Sequence, residues 1–529
     1  MSDPIQPVDS HGYRPWDHHQ TFNDVLAEQL QRAPYLLASA LLHVLIGFIL
    51  ASVMLLTRDE SETPTITASL PPPPPEVTEE EEPPPPPPEE VVEEPVVQEA
   101  EIEETTEQEA LEETGDPDFT SDAAFDSDSW NNAMGLGGGA GGKYGGRGGR
   151  GGKRGGNPTE QAVADALKWL HDHQAPTGFW DSDEFPVYDI YPSQPPSDGK
   201  GNPVVDVGLT GLALLAFMGN GNTLNDGIYR ATVAKGVTWL RENQRDDGLF
   251  GDEVGNPTLY NHAIATMALG EATYFAGRPP GLVKNLKSAI AIIVNARNNY
   301  SAWRYQLEPN GDNDSSITGW MIFALKTAED CKLPVDKGAY DGAKTWFDTM
   351  EDKNSGRVGY AWGDGGGGQG SRPSRPIHQM EKFPAEKSES LTAVALLCRI
   401  FMTDTSVVKS WKDHPQYDMM KKNADLIAAT LPKWDKDGSI DLYYWYYATF
   451  AMNQWGDQHW KNWEKAIGSA LVPNQRRDTP DKKDNYNGSW DPPDACGDEG
   501  GRVYSNAIDG RLLEVYYRYA NVFGSGGKH

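Results

Sequence analysis

Asp312 and Asp314 stand two positions apart in Asp312-Asn313-Asp314-Ser315-Ser316, directly ahead of an apolar run. Burial and a neighbouring carboxylate keep such a group neutral. A neutral carboxylic acid can serve as a general acid. The same five residues also read as a helix start capped by Asp314. Three more groups head apolar runs: Asp206, His262 after Asn261, and Tyr443 at the front of Tyr443-Tyr444-Trp445-Tyr446-Tyr447. If the starts of these runs converge, Asp206, His262, Asp312, Asp314 and Tyr443 face one aromatic-lined cavity, the default form of a ligand site. His262 reads equally as a bond to a neighbouring helix end, and aromatics at helical spacing are often core. The loop 360–388 adds Arg372, Arg375, His378 and Glu381. Asp494-Ala-Cys496 has the spacing of a pair of zinc ligands, but the later histidine is the terminal His529. A third ligand is missing, so neither a metal nor a cofactor is expected. The three cysteines, Cys331, Cys398 and Cys496, are too widely spaced for a disulfide scaffold.

The elements that would position these groups begin after residue 156. The formal net charge of the 529-residue chain is −32, and residues 59–128 hold 25 Asp and Glu without a Lys or Arg. The acidity is therefore mostly one segment, and an acidic chain of this kind argues against nucleic acid as a partner. Residues 35–56, YLLASALLHVLIGFILASVMLL, carry no charge. Such a run covers ~33 Å as a helix, enough to span a bilayer. It is too long, and too far from the N-terminus, for a cleaved signal. The reading is a short cytoplasmic segment at 1–34, a transmembrane helix at 35–56 and an extracytoplasmic, periplasmic remainder. An acidic Pro/Glu-rich stalk follows at 57–134, then a Gly-rich basic linker at 135–156. Residues 71–75 and 83–88 are all proline. As polyproline II, residues 71–95 alone reach roughly 78 Å. Ser39, His43, Gly47 and Ala51 share one face of the span. An ionisable group within a membrane is a functional-site hypothesis by default.

Residues 157–525 repeat. Ala166 to Trp180 and Gly236 to Phe250 both read small-x-x-Trp-Leu-x-x-x-Gln-x-x-x-Gly-x-aromatic, through Trp169, Gln174 and Gly178, and Trp239, Gln244 and Gly248. Weaker copies close at Trp303, Gly356, Gly438 and Trp490. Each copy reads as an amphipathic helix, a Gln/Gly turn, and a more apolar helix. The apolar helices are expected at Val207–Met218, Leu259–Phe275, Ser315–Ala328, Ser390–Met402, Leu442–Asn453 and Tyr504–Ala520. Asp206, Asp314, Glu389 and Asp441 are expected to cap their starts. Six inner and six outer helices close into an all-α (α/α)6 toroid.

This pattern resembles the Gln-Trp repeats of squalene–hopene and oxidosqualene cyclases and of prenyltransferase β subunits. The resemblance implies a terpenoid-cyclase-like toroid and a hydrophobic or isoprenoid ligand. In class II terpenoid cyclases the acid is the central Asp of Asp-x-Asp-Asp, which would be Asp314, with Asp312 as the first. Ser315 replaces the last. Thioester domains of complement-like proteins share the toroid, but Cys496-Gly497-Asp498-Glu499 lacks their Gln. Ser39-Ala-Leu-Leu-His43, followed by a Pro/Glu-rich stalk, resembles TonB-type energy transducers. That likeness covers residues 35–100 and implies that Ser39 and His43 face a proton-driven motor complex. The expectation is a membrane-anchored toroid acting as a binding or structural module. The alternative is a cyclase-like isomerase using Asp314.

Overall fold

Two kinds of helix alternate along the chain. The computed structural model describes residues 158–361, 377–404, 407–434, 439–477 and 484–518. The predicted span 35–56 with Ser39 and His43, the stalk 57–134 and the linker 135–156 lie outside the described residues. Among the described residues no helix is long and apolar enough to cross a membrane.

The first kind of helix is amphipathic: α1 (Pro158–Asp172), α3 (Arg230–Glu242), α5 (Pro280–Asn295), α7 (Lys337–Met350), α9 (Tyr417–Ala429) and α11 (Asp457–Leu471). In α7 the buried face is Ala339, Tyr340, Ala343, Trp346, Phe347 and Met350, at the three- and four-residue spacing of one stripe. Burying Phe347 and Met350 stabilises by about 1.5–3 kcal/mol each. The second kind is buried over most of its surface: α2 (Asp206–Gly219), α4 (Pro257–Phe275), α6 (Ser315–Asp330), α8 (Ser390–Phe401), α10 (Leu442–Trp455) and α12 (Gly497–Arg518), the last carrying buried charged groups such as Arg502, Asp509 and Glu514. Every residue of α8 and α10 is buried, as a helix without a polar face requires.

The even-numbered helices pack in sequence, α2 on α4, α4 on α6, α6 on α8, α8 on α10 and α10 on α12, and α12 returns to α2. The odd-numbered helices pack outside this closed ring. The fold is an (α/α)6 toroid. The last inner helix differs from expectation: it begins at Gly497 rather than Tyr504 and is broken at Gly501 (φ 62°, ψ −160°).

The repeat motif is a device for joining outer helices. Gln174 Nε2 donates to the carbonyl oxygens of Gly178 (2.7 Å), in its own turn, and of Thr232 (3.0 Å), in α3. Gln244 does the same with Gly248 and Asn285, and Gln475 with Gly488 and Ala162. The closing tryptophan donates its indole N–H back to the helix that precedes it. Trp180 reaches Leu170 O, Trp303 reaches Ile293 O and Trp490 reaches Leu471 O, at 2.7–2.9 Å. The carbonyls of a helix's last turn have no partner within the helix, so each tryptophan tie satisfies a group that would otherwise be orphaned.

Candidate functional site

Four of the groups expected at inner-helix starts cap or brace helices. Asp314 is the N-cap of α6, its Oδ1 accepting from Ile317 N at 2.8 Å, and Asp441 caps α10 through Tyr444 N at 2.9 Å. Asp206 and Glu389 depart from the expected capping. Asp206 is the first residue of α2, and its Oδ1 accepts from Ser182 N (2.9 Å) in the preceding turn. Glu389 makes no cap bond; its carboxylate pairs with Arg357 and accepts from Thr392 Oγ1. The reason is geometric: Asp206 is drawn to a backbone N–H of the preceding turn, and Glu389 to Arg357 and the Thr392 hydroxyl, instead of to a free backbone N–H of the first turn.

Asp314 is fully buried, and burial pushes its carboxyl up to about 7. Its Oδ2 faces the guanidinium of Arg304 at 3.3 Å, which also pairs with the half-exposed Asp312 at 3.3 Å. Asp206 is likewise raised to about 7 by burial. His262 lies in the second turn of α4. Its Nδ1 accepts from Phe250 N (3.1 Å), and its Nε2 lies 2.9 Å from Ala289 O. Burial lowers its pKa to about 4, so the ring is neutral, and the partners place the proton on Nε2. The imidazole ties the second turn loop to α5, where Trp180 and Trp303 serve their own repeats.

The inner-helix starts do converge. A cavity of about 640 Å³ opens among the first turns of α2, α4, α6, α10 and α12. Of the residues singled out in the sequence, Tyr443 lines it, together with Asn261; Asp206, His262, Asp312 and Asp314 do not. Tyr443 is joined by Tyr260, Tyr305, Tyr360, Tyr504 and Trp320. Tyr260 Oη donates to Ser316 Oγ (2.8 Å), and Ser316 Oγ lies 2.7 Å from Tyr443 Oη. The Tyr305 and Tyr360 hydroxyls bond each other. Burial raises both Tyr260 and Tyr443 well above the ordinary phenol range, so they stay neutral. Asp314 stands one layer back, behind Arg304, whose guanidinium carbon lies 4.6 Å from the Tyr305 ring centre and 5.2 Å from that of Tyr360.

One layer deeper along the helices the wall is apolar: Leu209 and Leu212 from α2, Ile264 from α4 and Trp320 from α6. Polar groups stand near the cavity rim: Asn202 Nδ2 donates to Glu499 Oε2 (3.0 Å) in α12, and Gln379 Nε2 to Asp498 Oδ2 (2.8 Å). Arg372 and Arg375 lie outside the described residues, and the His378 side chain is likewise outside them. Cys496 and Glu499 line the same cavity.

Ser316 belongs to the Asp312–Ser316 cluster, and Tyr260 precedes Asn261-His262, so both stood next to residues already singled out. Tyr305 and Tyr360 lie in turns, where no periodicity marks an inward-facing ring.

No family model and no curated protein sequence matches the chain. Solved structures do. The alpha-1,6-mannanase GH76A of Salegentibacter sp. HEL1_6 aligns at 13% identity over 68% of this chain and 99% of its own, with a TM-score of 0.45. An alpha-amylase from Clostridium perfringens aligns at 11% identity over 67% and 97%, with a TM-score of 0.41. A type II terpene cyclase from Scytonema, in complex with geranylgeranyl dihydroxybenzoate, aligns at 12% identity over 68% and 97%, also at 0.41.

Proposed function

We propose that the toroid is a binding module whose site is the cavity at the inner-helix starts. The observation that carries this reading is the layering of that cavity. Leu209, Leu212, Ile264 and Trp320 form an apolar floor, the Tyr260–Ser316–Tyr443 hydroxyls a girdle above it, and Asn202, Gln379 and Glu499 a polar rim. A volume of about 640 Å³ suits a small organic ligand with an apolar body and a polar end, of which an isoprenoid is one type. The test uses the full chain purified from membranes. Solvent extracts are compared by mass spectrometry with those of Leu212→Trp, whose side chain fills the floor. An amphipathic small molecule present in the first and absent from the second supports the reading; identical extracts end it.

The tether rests on the sequence. We read residues 35–56 as the anchor of a single-pass membrane protein, with the toroid in the periplasm and Ser39 and His43 turned toward a proton-driven motor complex. Cross-linking of the span in energised and de-energised membranes tests this: a motor-complex adduct lost in His43→Ala supports coupling, and an unchanged pattern removes it.

One observation favours the catalytic alternative, a terpenoid-cyclase-like isomerase. Burial holds the Asp314 carboxyl near 7, so it is substantially protonated at neutral pH, as a general acid must be. Set against it, Asp314 does not line the cavity, and Ile317 N and Arg304 hold its two oxygens one layer back. Incubation of the full chain with squalene and shorter polyprenyl substrates decides between them. A cyclic product abolished by Asp314→Asn establishes the enzyme, and unchanged substrate leaves Asp314 as a cap.

A further inference from the structure

Resting on the binding reading above, we infer that the cavity selects a ligand whose polar end is a cation, of the alkylated ammonium type. Three features of the wall lead there.

Several donors that an anion or a neutral polar head would use already serve bonds within the protein. Asn202 Nδ2 donates to Glu499, Gln379 Nε2 to Asp498, and Asn261 Nδ2 to Val204 O at 2.7 Å. The Tyr260 hydroxyl donates to Ser316, and Tyr305 and Tyr360 bond each other. Around the cavity stand six aromatic rings, Tyr260, Tyr305, Trp320, Tyr360, Tyr443 and Tyr504, and the Glu499 carboxylate, with no Lys or Arg among the described lining residues.

The rings are numerous and held. Tyr260 and Tyr305 lie with ring centres 5.9 Å apart, and Trp320 stacks on Tyr446 at 5.5 Å. Hydroxyl bonds and stacking fix these rings before any ligand arrives, which removes an ordering cost of binding. A cation over an aromatic face is attracted by the ring quadrupole, most strongly where water is excluded. Two of these rings already receive a cation, because the Arg304 guanidinium lies over Tyr305 and Tyr360.

The charge balance of the described wall points the same way. Arg304, Asp312 and Asp314 balance one another outside the lining, and Glu499, bonded to the Asn202 amide, is the one charged side chain among the described lining residues. A guest carrying positive charge meets a carboxylate at the rim and no Lys or Arg among the described lining residues.

The experiment titrates the full chain in lipid discs with choline, with its neutral isostere 3,3-dimethylbutan-1-ol and with the anion 3,3-dimethylbutanoate, followed by calorimetry. Choline is expected to bind at least tenfold more tightly than either isostere. Tyr305→Leu should weaken choline tenfold or more, whereas Tyr305→Phe, which loses the hydroxyl but keeps the ring face, should stay within about threefold of wild type. Glu499→Gln should weaken choline several-fold and leave the neutral isostere unchanged. Thermal melts of each variant separate loss of binding from loss of fold. Equal affinity for choline and the alcohol, or preference for the anion, overturns the cation and leaves the binding module standing. No binding of any of the three, with a ligand still recovered by solvent extraction, overturns the cation alone. No binding together with identical extracts overturns both.

Discussion

The Gln475 side-chain amide donates to the carbonyl oxygen of Ala162 at 2.7 Å, joining the last repeat to the first helix across 313 positions. Its other bond, to Gly488 O at 2.9 Å, ties the same amide to its own turn. One residue thus satisfies two carbonyls and closes the outer ring. Gln475→Ala should destabilise by about 1–3 kcal/mol, since it removes two hydrogen bonds made by one buried amide. Gln244→Ala removes the equivalent tie between α3 and α5 and should reduce stability by a similar amount. Hydrogen exchange distinguishes them. Amides of α1 should lose protection in Gln475→Ala and keep it in Gln244→Ala; equal protection in both would mean that Gln475 does not close the ring.

Gly488 follows thirteen residues after Gln475, at φ 93°, and a Cβ there would stand 2.3 Å from Asp165 O in α1. Gly178 has the same relation to α3, at φ 112° and 2.3 Å from Lys235 O. Both the backbone conformation and the close approach of the next outer helix forbid a side chain. Gly488→Ala is expected to lower stability by roughly 2–4 kcal/mol. Gly468 lies inside α11 at no positive φ, and a Cβ there would meet nothing within 4 Å. Gly468→Ala should raise stability by about 0.5–1 kcal/mol, because alanine restricts the unfolded chain and favours helix. Urea melts of the two variants should move in opposite directions.

Much of this fold is legible in the sequence alone. The repeat spells out the helix pairs because a Gln/Gly turn and a change from amphipathic to all-apolar sequence are local signals. The inner helices expected at Leu259–Phe275 and Ser315–Ala328 fall within two residues of those found, Pro257–Phe275 and Ser315–Asp330. The site is less legible. A carboxylate at a helix start looks alike whether it caps, as Asp314 and Asp441 do, or braces a loop, as Asp206 and Glu389 do. That choice depends on which donor lies nearest in space. Tyr305 and Tyr360 reach the cavity from turns whose course is set by tertiary packing, so no spacing in the sequence could mark them.

Asp330 offers a pH test away from the cavity. It ends α6, is buried, and its carboxyl is raised to about 7, by burial first and against the pull of Lys326. The unfolded value is near 4, so between pH 4 and 7 the folded chain binds the extra proton. The stabilising contribution of the neutral acid is complete below the unfolded value and is lost as pH rises through 7. Asp330→Asn imitates the neutral form at every pH. Wild type and variant should be equally stable at pH 4, and the variant should be ahead at pH 8, by at most about 4 kcal/mol for a three-unit shift. His262 has the opposite slope: its neutral ring stabilises above its unfolded value, and that stability is lost as pH falls through about 4. Because His262 is present in both proteins, its contribution cancels in the difference. A difference that does not change between pH 4 and 8 would show that Asp330 is ionised in the folded state.

Tyr443 separates the two roles of the cavity wall. Its hydroxyl lies 2.7 Å from Ser316 Oγ, which in turn receives the Tyr260 hydroxyl, while its ring packs 4.9 Å from that of Tyr447. Tyr443→Phe removes the hydroxyl and keeps the ring. The loss of one neutral hydrogen bond should reduce stability by about 0.5–1.5 kcal/mol. Ser316 retains Tyr260 as a partner, so the cavity keeps its shape, and choline affinity should change by no more than about threefold if ring faces provide the recognition. Tyr443→Leu keeps an apolar side chain of fair size but removes the aromatic face, and it should weaken choline tenfold or more at a comparable stability. If Tyr443→Phe proves as damaging to binding as Tyr443→Leu, the hydroxyl chain is the recognition element, and the ligand's head is a hydrogen-bonding group instead of a cation.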